Sequence, residues 1–194
     1  MGLDITAFAK AKFVTAEFEE EKHDTLEYHR IYAAKNFADR LNGKPEGVYT
    51  FDGKPICFGA DSCGIYNAWR ELLSLAVLGV LPEVTWKDFD AYKGKPFAEL
   101  IYMSDCEGAI ASETSKKLAA DFETFKNTIE QKVRAVIASD GKYADYGDNS
   151  VRYWLSQYNN WHEAFKTARL HRSRLVTAPH GTVESHMTFH RTCA

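Results

Sequence analysis

The stretch SETSKKLAADFETFKNTIEQKVRAVIA (residues 112–138) carries the clearest structural signal in the 194-residue chain. Its apolar residues recur every three or four positions, which places them on one face of an amphipathic helix. These residues are Leu118, Phe122, Phe125, Ile129, Val133 and Val136. We expect Ser112 to cap one long helix, which Ser139-Asp140-Gly141 ends.

Three further helices are predicted on either side of this stretch. The first runs from about His23 to Leu41, and the second from about Ile65 to Leu78 after a cap at Asp61 or Ser62. The third spans about Val151 to Ala168. Their apolar stripes predict a shared core in which five aromatic side chains are largely buried. These are Trp69, Phe122, Phe125, Trp154 and Phe165.

Three segments are typical of β-strands. Residues between Leu3 and Val14 alternate in part between apolar and polar. Gly47 to Phe58 is expected to form a hairpin around Asp52-Gly53, and Glu99 to Ser104 a short strand. The chain therefore predicts an α+β domain over residues 1–170, with a small antiparallel sheet and three to four amphipathic helices that share one core.

Beyond Leu170 the periodicity fades. Residues 171–194 are expected to form a loosely structured, basic tail with room for one short strand and little contribution to the fold. The tail holds four of the seven histidines, namely His171, His180, His186 and His190. From Lys166 onward there are five cations and one acid, although the whole chain has a net charge of −3. The acidic remainder argues against nucleic-acid binding.

Composition and motifs exclude several classes of protein. No apolar run approaches the roughly 20 residues that cross a bilayer. None of the four cysteines forms a C-x-x-C pair, so we expect free thiols in a reducing cytoplasm and no bound metal or cofactor. No phosphate-binding loop and no hydrolase motif occurs. The sequence thus favours a protein that is not an enzyme, and it leaves homo-oligomerisation open.

The segment most typical of a ligand site is SDCEG at residues 104–108, between the predicted strand and the long helix. Asp105 and Glu107 project to one face if the segment is extended, and such a pair can bind a cation or divide acid and base roles. Cys106 lies where a helix N-terminus lowers a thiol pKa. The candidate partners are Tyr66, Asn67, Arg70 and His162. The simpler alternative is helix capping and turn formation.

Several short blocks resemble a group of uncharacterised bacteriophage and prophage proteins. The blocks are MGLDITAF at residues 1–8, GIYNAWR at 64–70, FAEL at 97–100, SDCEG at 104–108, KLAADF at 117–122 and YNNW at 158–161. They cover about a sixth of the chain and share their order with the group. The resemblance implies a phage origin and a common fold, and it implies no activity.

Two hypotheses of function follow. The first is a phage accessory protein in the host cytoplasm that binds a host protein, for example to inhibit a defence system. The second is a small-molecule or nucleotide binding or hydrolysing protein with its site around Asp105 and Glu107. A deep pocket lined by the candidate residues favours the second, and an exposed acidic or aromatic surface favours the first.

Overall fold

The computed structural model describes residues 2–25, 27–31, 40–52, 54–103, 108–143, 149–168 and 184–192. They form an α+β fold, as the sequence predicts. The strands are β1 (Gly2–Thr15), β2 (Tyr28–Ile31), β3 (Gly47–Phe51), β4 (Ile56–Ser62), β5 (Gly108–Ala111) and β6 (Glu184–Thr192). The helices are α1 (Glu20–His23), α2 (Cys63–Leu78), α3 (Pro82–Lys87), α4 (Phe89–Tyr92), α5 (Ala98–Ile101), α6 (Ser112–Phe125), α7 (Ile129–Ser139) and α8 (Ser150–Ala168).

The strands form one antiparallel sheet in the order β2-β3-β1-β6-β5, with β4 also paired to β1. Four of the helices, α2, α6, α7 and α8, supply most of the main core, to which Ile5 and Ala7 of β1 also belong. A smaller cluster lies around Ala11 and Tyr49. Between these two parts of β1 the register shifts and Lys10 has a φ of 58°, so a bulge interrupts the alternation of side chains.

Several predicted elements are confirmed. The N-terminal strand, the helix after Ser62 and the helix that ends at Ala168 lie where the sequence places them. The Ser62 hydroxyl accepts a hydrogen bond from the Ile65 backbone N–H at 3.2 Å, which is the expected N-cap. Of the five aromatic residues expected in the core, four are buried and Phe125 is partly buried.

The long helix predicted over 112–138 is two helices. The chain leaves regular helical structure after Phe125, and α7 begins at Ile129. This division lets α6 pack against α8 while Ile129 and Val133 on α7 face Trp69, Leu72 and Leu73 on α2. A single straight helix has one apolar stripe and cannot serve two partners on different sides.

Two other helix and strand predictions are wrong. Within the predicted helix 23–41, residues Tyr28–Ile31 form β2 and pair with β3, so sheet pairing outweighs local helical pattern there. Residues 32–39 lie outside the described part. The predicted strand at 99–104 begins instead as helix α5. A short, fully apolar run does not distinguish a buried strand from a buried helix by its periodicity.

The predicted hairpin at 47–58 has the right strands and the wrong pairing. Both β3 and β4 pair with β1, at Ala11 to Thr15 and at Gly2 to Ala7 respectively. The two strands therefore follow one another along the same edge of β1 and do not pair with each other. The 14-residue length of β1 makes this arrangement available.

Residues 184–192, which the sequence places in a loose tail with room for one short strand, form a nine-residue strand. They form β6, which lies between β1 and β5 in the sheet. Ile5 pairs with Phe189, which in turn pairs with Gly108. The boundary predicted at residue 170 thus separates a strand from its own sheet. Pairing between strands at opposite ends of a chain leaves no local signal in either segment, so the sequence does not reveal it.

Candidate functional site

The candidate residues on α2 form a cluster around the end of α5. Tyr66 and Arg70 are four residues apart and therefore share a helix face. The Tyr66 hydroxyl donates to the carbonyl oxygen of Met103 at 3.1 Å. Arg70, which is only 5% exposed, donates through Nη1 to the carbonyl oxygens of Ile101 and Met103, and through Nη2 to Asn67 Oδ1. Arg70 thus donates to one carbonyl group in the last turn of α5 and to another just beyond its end.

A second buried guanidinium lies near this cluster. Arg40 is 4% exposed, and burial lowers its pKa to about 10. Tyr66 opposes this change, while the positive charge of Arg70 adds to it. Two buried guanidiniums therefore lie close enough to Tyr66 and to each other to interact electrostatically.

The candidate segment at residues 104–108 follows Met103 directly in the sequence. Asp105, Cys106 and Glu107 lie outside the described residues, so their pairing stays a prediction. The structure brings together Tyr66, Asn67 and Arg70 and adds Arg40, which sequence reasoning missed. No pattern in the sequence marks Arg40, since its burial depends on long-range packing.

His162 belongs to a different part of the molecule. Its ring stacks on Phe122 with centroids 5.7 Å apart, and its Nε2 lies 3.4 Å from Oε2 of Glu123 on α6. Burial lowers its pKa, and the carboxylate of Glu123 opposes that change. Within the described residues no hydrogen bond, ion pair or ring contact joins His162 to Tyr66, Asn67 or Arg70. It is a histidine of the α6–α8 interface.

An exposed apolar surface lies next to the arginine cluster. Within nine residues of α3 and α4, four large apolar side chains are 39–47% exposed. They are Leu81, Val84, Trp86 and Phe89. We call this set the α3–α4 apolar surface. Large apolar side chains grouped in this way on a protein surface mark interaction sites more often than isolated ones do.

The α3–α4 apolar surface packs on the cluster that contains Tyr66 and Arg70. The guanidinium carbon of Arg70 lies 5.8 Å from the centre of the Trp86 ring, and 5.0 Å from that of Tyr66. The Phe89 ring meets the Tyr102 ring edge-on at 4.8 Å, and the Tyr102 hydroxyl donates to the carbonyl oxygen of Thr85. Burial raises the pKa of Tyr102, so the hydroxyl keeps its proton for this bond.

No periodic pattern in the sequence marks the α3–α4 apolar surface. Its apolar residues at 81, 84, 86 and 89 follow neither a helical nor a strand period, because the segment is two short helices joined at Asp88. A usable signal was present: Pro82 occupies a first helical position and Asp88 caps the next helix through Ala91 N–H at 3.3 Å.

Comparison with protein family models, with curated proteins and with solved structures finds no match to this chain.

Three further features bear on what the site can do. Neither of two cavities lined by described residues includes Tyr66, Asn67, Arg70 or His162. Among the described residues, no three His, Cys, Asp or Glu side chains are grouped so that they would hold a metal ion. No helix in the described ranges has the length and apolar character needed to span a bilayer.

Proposed function

We propose that this protein acts by binding another protein through the α3–α4 apolar surface. The observation that carries the proposal is the exposure of Trp86. This residue is 46% exposed and lies beside three other exposed apolar side chains. Tryptophan is the residue type most enriched among those that dominate binding energy at protein interfaces. Contact between these apolar side chains and water is unfavourable in free energy, and a partner that buries them removes that contact.

The rigidity of this surface supports the same function. Trp86 rests on Arg70, which is itself bonded to two carbonyl groups and to Asn67. Thr85, fully buried beneath the surface, donates to the carbonyl oxygen of Pro82 at 2.6 Å. Side chains that are already ordered lose little conformational entropy on binding, so more of the buried apolar area contributes to affinity.

The nature of the partner rests on the resemblance to phage proteins. A phage accessory protein of this size acts in the host cytoplasm, and its partner is a host protein, such as a component of a defence system. The predicted lack of catalytic and cofactor motifs agrees with inhibition by binding. No step of this proposal requires a metal ion or a cofactor.

A second candidate function has one specific observation in its favour. The buried guanidinium of Arg70 donates to the carbonyl oxygen of Met103, two residues before Asp105. The buried guanidinium of Arg40 interacts electrostatically with both Tyr66 and Arg70. Such a concentration of charge suits a small-molecule or nucleotide site. The double change Asp105→Asn and Glu107→Gln keeps side-chain shape and removes both charges. Loss of biological effect at an unchanged melting temperature would favour this function, and full activity would remove it.

The leading proposal is tested by comparative affinity capture from lysate of infected host cells. The three baits are the wild-type protein, the double variant Trp86→Ser with Phe89→Ser, and Phe13→Ser. Phe13 is 45% exposed on β1 and serves as the matched control for loss of surface apolar area. We expect one partner with wild type and with Phe13→Ser, and its loss with the double variant. Equal recovery with all three baits would contradict the proposal.

A further inference from the structure

A cleft of about 470 Å³ lies between α7 and α8. The α8 residues that line it form two rows of residues spaced four apart, and Leu155 of one row also packs against the main core. Glu130 and Arg134, also four apart, form the wall on α7. The cleft volume falls in the range of small-molecule sites, which is roughly 300–1,000 Å³.

Positive charge predominates in this cleft. Arg134 donates through Nε and Nη2 to Oε1 of Glu130, at 2.9 and 2.7 Å, so its guanidinium is held in one orientation. Arg152 lines the opposite wall and has no ion pair with any described residue. Between Val151 and His162 the sequence of α8 contains no carboxylate. Two guanidiniums therefore face the cleft against one carboxylate, which favours an anionic ligand such as a phosphate group.

The remaining polar groups of the cleft are neutral. Asn159, Asn160 and Ser156 contribute amide and hydroxyl groups, which both donate and accept hydrogen bonds. Asparagine and serine are poorer helix formers than the lysine, glutamate or alanine that a solvated helix face usually carries. Their presence in adjacent turns of α8 is thus better explained by a need for hydrogen bonding than by helix stability.

The floor of the cleft is apolar. Val151 and Leu155 are partly buried and contribute the non-polar part of the lining. A flat ring can lie against such a floor while its edge meets amide groups. The cleft thus combines the three features that a phosphorylated ring compound requires: cationic donors, neutral hydrogen-bonding groups and an apolar surface.

We infer that the cleft between α7 and α8 binds a nucleoside monophosphate or a phosphate monoester of similar size and ring character. The phosphate group pairs with Arg152 and Arg134, and the ring lies on Leu155 with its edge towards Asn159 and Asn160. The cleft shares no residue with the α3–α4 apolar surface, so this inference stands independently of the proposed function.

The test is calorimetric titration of the full-length protein with AMP, GMP, CMP and UMP, with inorganic phosphate and adenosine as separate arms. We expect at least one nucleotide to bind saturably with a Kd between about 10 µM and 1 mM. Arg152→Gln should weaken that binding by about tenfold or more, and Asn159→Ala should weaken it as well. Arg30→Gln, a change at an exposed arginine on β2, should leave it unaltered.

Melting temperatures of the variants separate binding from folding, because Arg152 and Asn159 are exposed and their replacement should not lower stability. Four outcomes would overturn the inference. They are no saturable binding of any of the four nucleotides, equal affinity of wild type and Arg152→Gln, equal effects of Arg152→Gln and Arg30→Gln, and inorganic phosphate binding as tightly as every nucleotide.

Discussion

The indole rings of Trp69 and Trp161 stack on each other, with centroids 5.2 Å apart and planes 13° apart. Each tryptophan ends one of two similar sequence blocks, YNAW at 66–69 and YNNW at 158–161. The tyrosine of each block is buried as well. The two blocks are therefore similar because both helices need aromatic rings on their buried face. Tyr and Trp three residues apart place two such rings on one face of a helix.

Trp161→Ala is expected to lower the free energy of unfolding by about 3–5 kcal/mol. Trp161 is fully buried and also stacks on Phe165 and Tyr66, so its removal leaves a cavity at the centre of the main core. Urea denaturation measures the loss. Trp86→Ala is the matched control, because Trp86 is 46% exposed and its loss should cost much less. Similar losses of unfolding free energy in the two variants would show that Trp161 is not central to the core.

Asp121→Ala is expected to cost about 1.5–3 kcal/mol, the range for a hydrogen bond to a charged group. Asp121 Oδ2 accepts the backbone N–H of Phe97 at 2.9 Å and pairs with Lys117 at 3.0 Å. Phe97 has a φ of 59°, which is unfavourable for a bulky residue, and its ring is fully buried against Phe122. Asp121 therefore holds a backbone conformation that the core requires.

Chemical denaturation checks the effect of Asp121. Asp121→Asn keeps an acceptor oxygen and should lose less than Asp121→Ala. Glu113→Ala is the control, since it removes an exposed ion pair with Lys116 and should change stability by less than about 1 kcal/mol. A loss at Asp121 no larger than at Glu113 would show that Phe97 does not depend on this carboxylate.

A chain that ends at residue 183 is expected to fail to fold. It lacks β6, which pairs with β1 from Gly2 to Ala11 and is the partner of β5 among the described strands. Met187→Pro should have a similar effect, because Met187 pairs with Ala7 on one side and Ile110 on the other and proline removes a backbone N–H. Circular dichroism and solubility measure the outcome, with a chain that ends at residue 192 as control. A folded 183-residue chain would contradict the placement of β6.

His162 should make stability depend on pH below its ordinary pKa of 6.5. Burial lowers its pKa in the folded state, so the unfolded chain binds the proton more tightly. Its contribution is complete above pH 6.5 and is lost as the pH falls from there through the lower pKa of the folded state. Between about pH 8 and about pH 5, wild type should lose more stability than His162→Gln. Equal losses would show that His162 is not desolvated.

The sequence by itself determined the fold class, three helix faces and most of the core. These features follow from local periodicity, because apolar residues recur at helical spacing within each segment. Trp69, Phe122, Trp154 and Phe165 belong to these apolar stripes and are buried as the spacing predicts. The Ser62 cap is equally local, since a hydroxyl and an N–H three residues apart suffice for it. The sequence also marked Tyr66, Asn67 and Arg70 as neighbours on one helix.

Only the tertiary structure decided how the strands pair and which polar groups are buried together. β6 joins the sheet between β1 and β5, and Arg40 approaches Arg70, over separations in sequence that no local pattern encodes. The exposure of Trp86 likewise depends on what packs around it, since an aromatic residue in a short helix is equally compatible with a core or a surface. Backbone pairing and burial are long-range quantities, whereas helix faces and caps depend on residues within one or two turns.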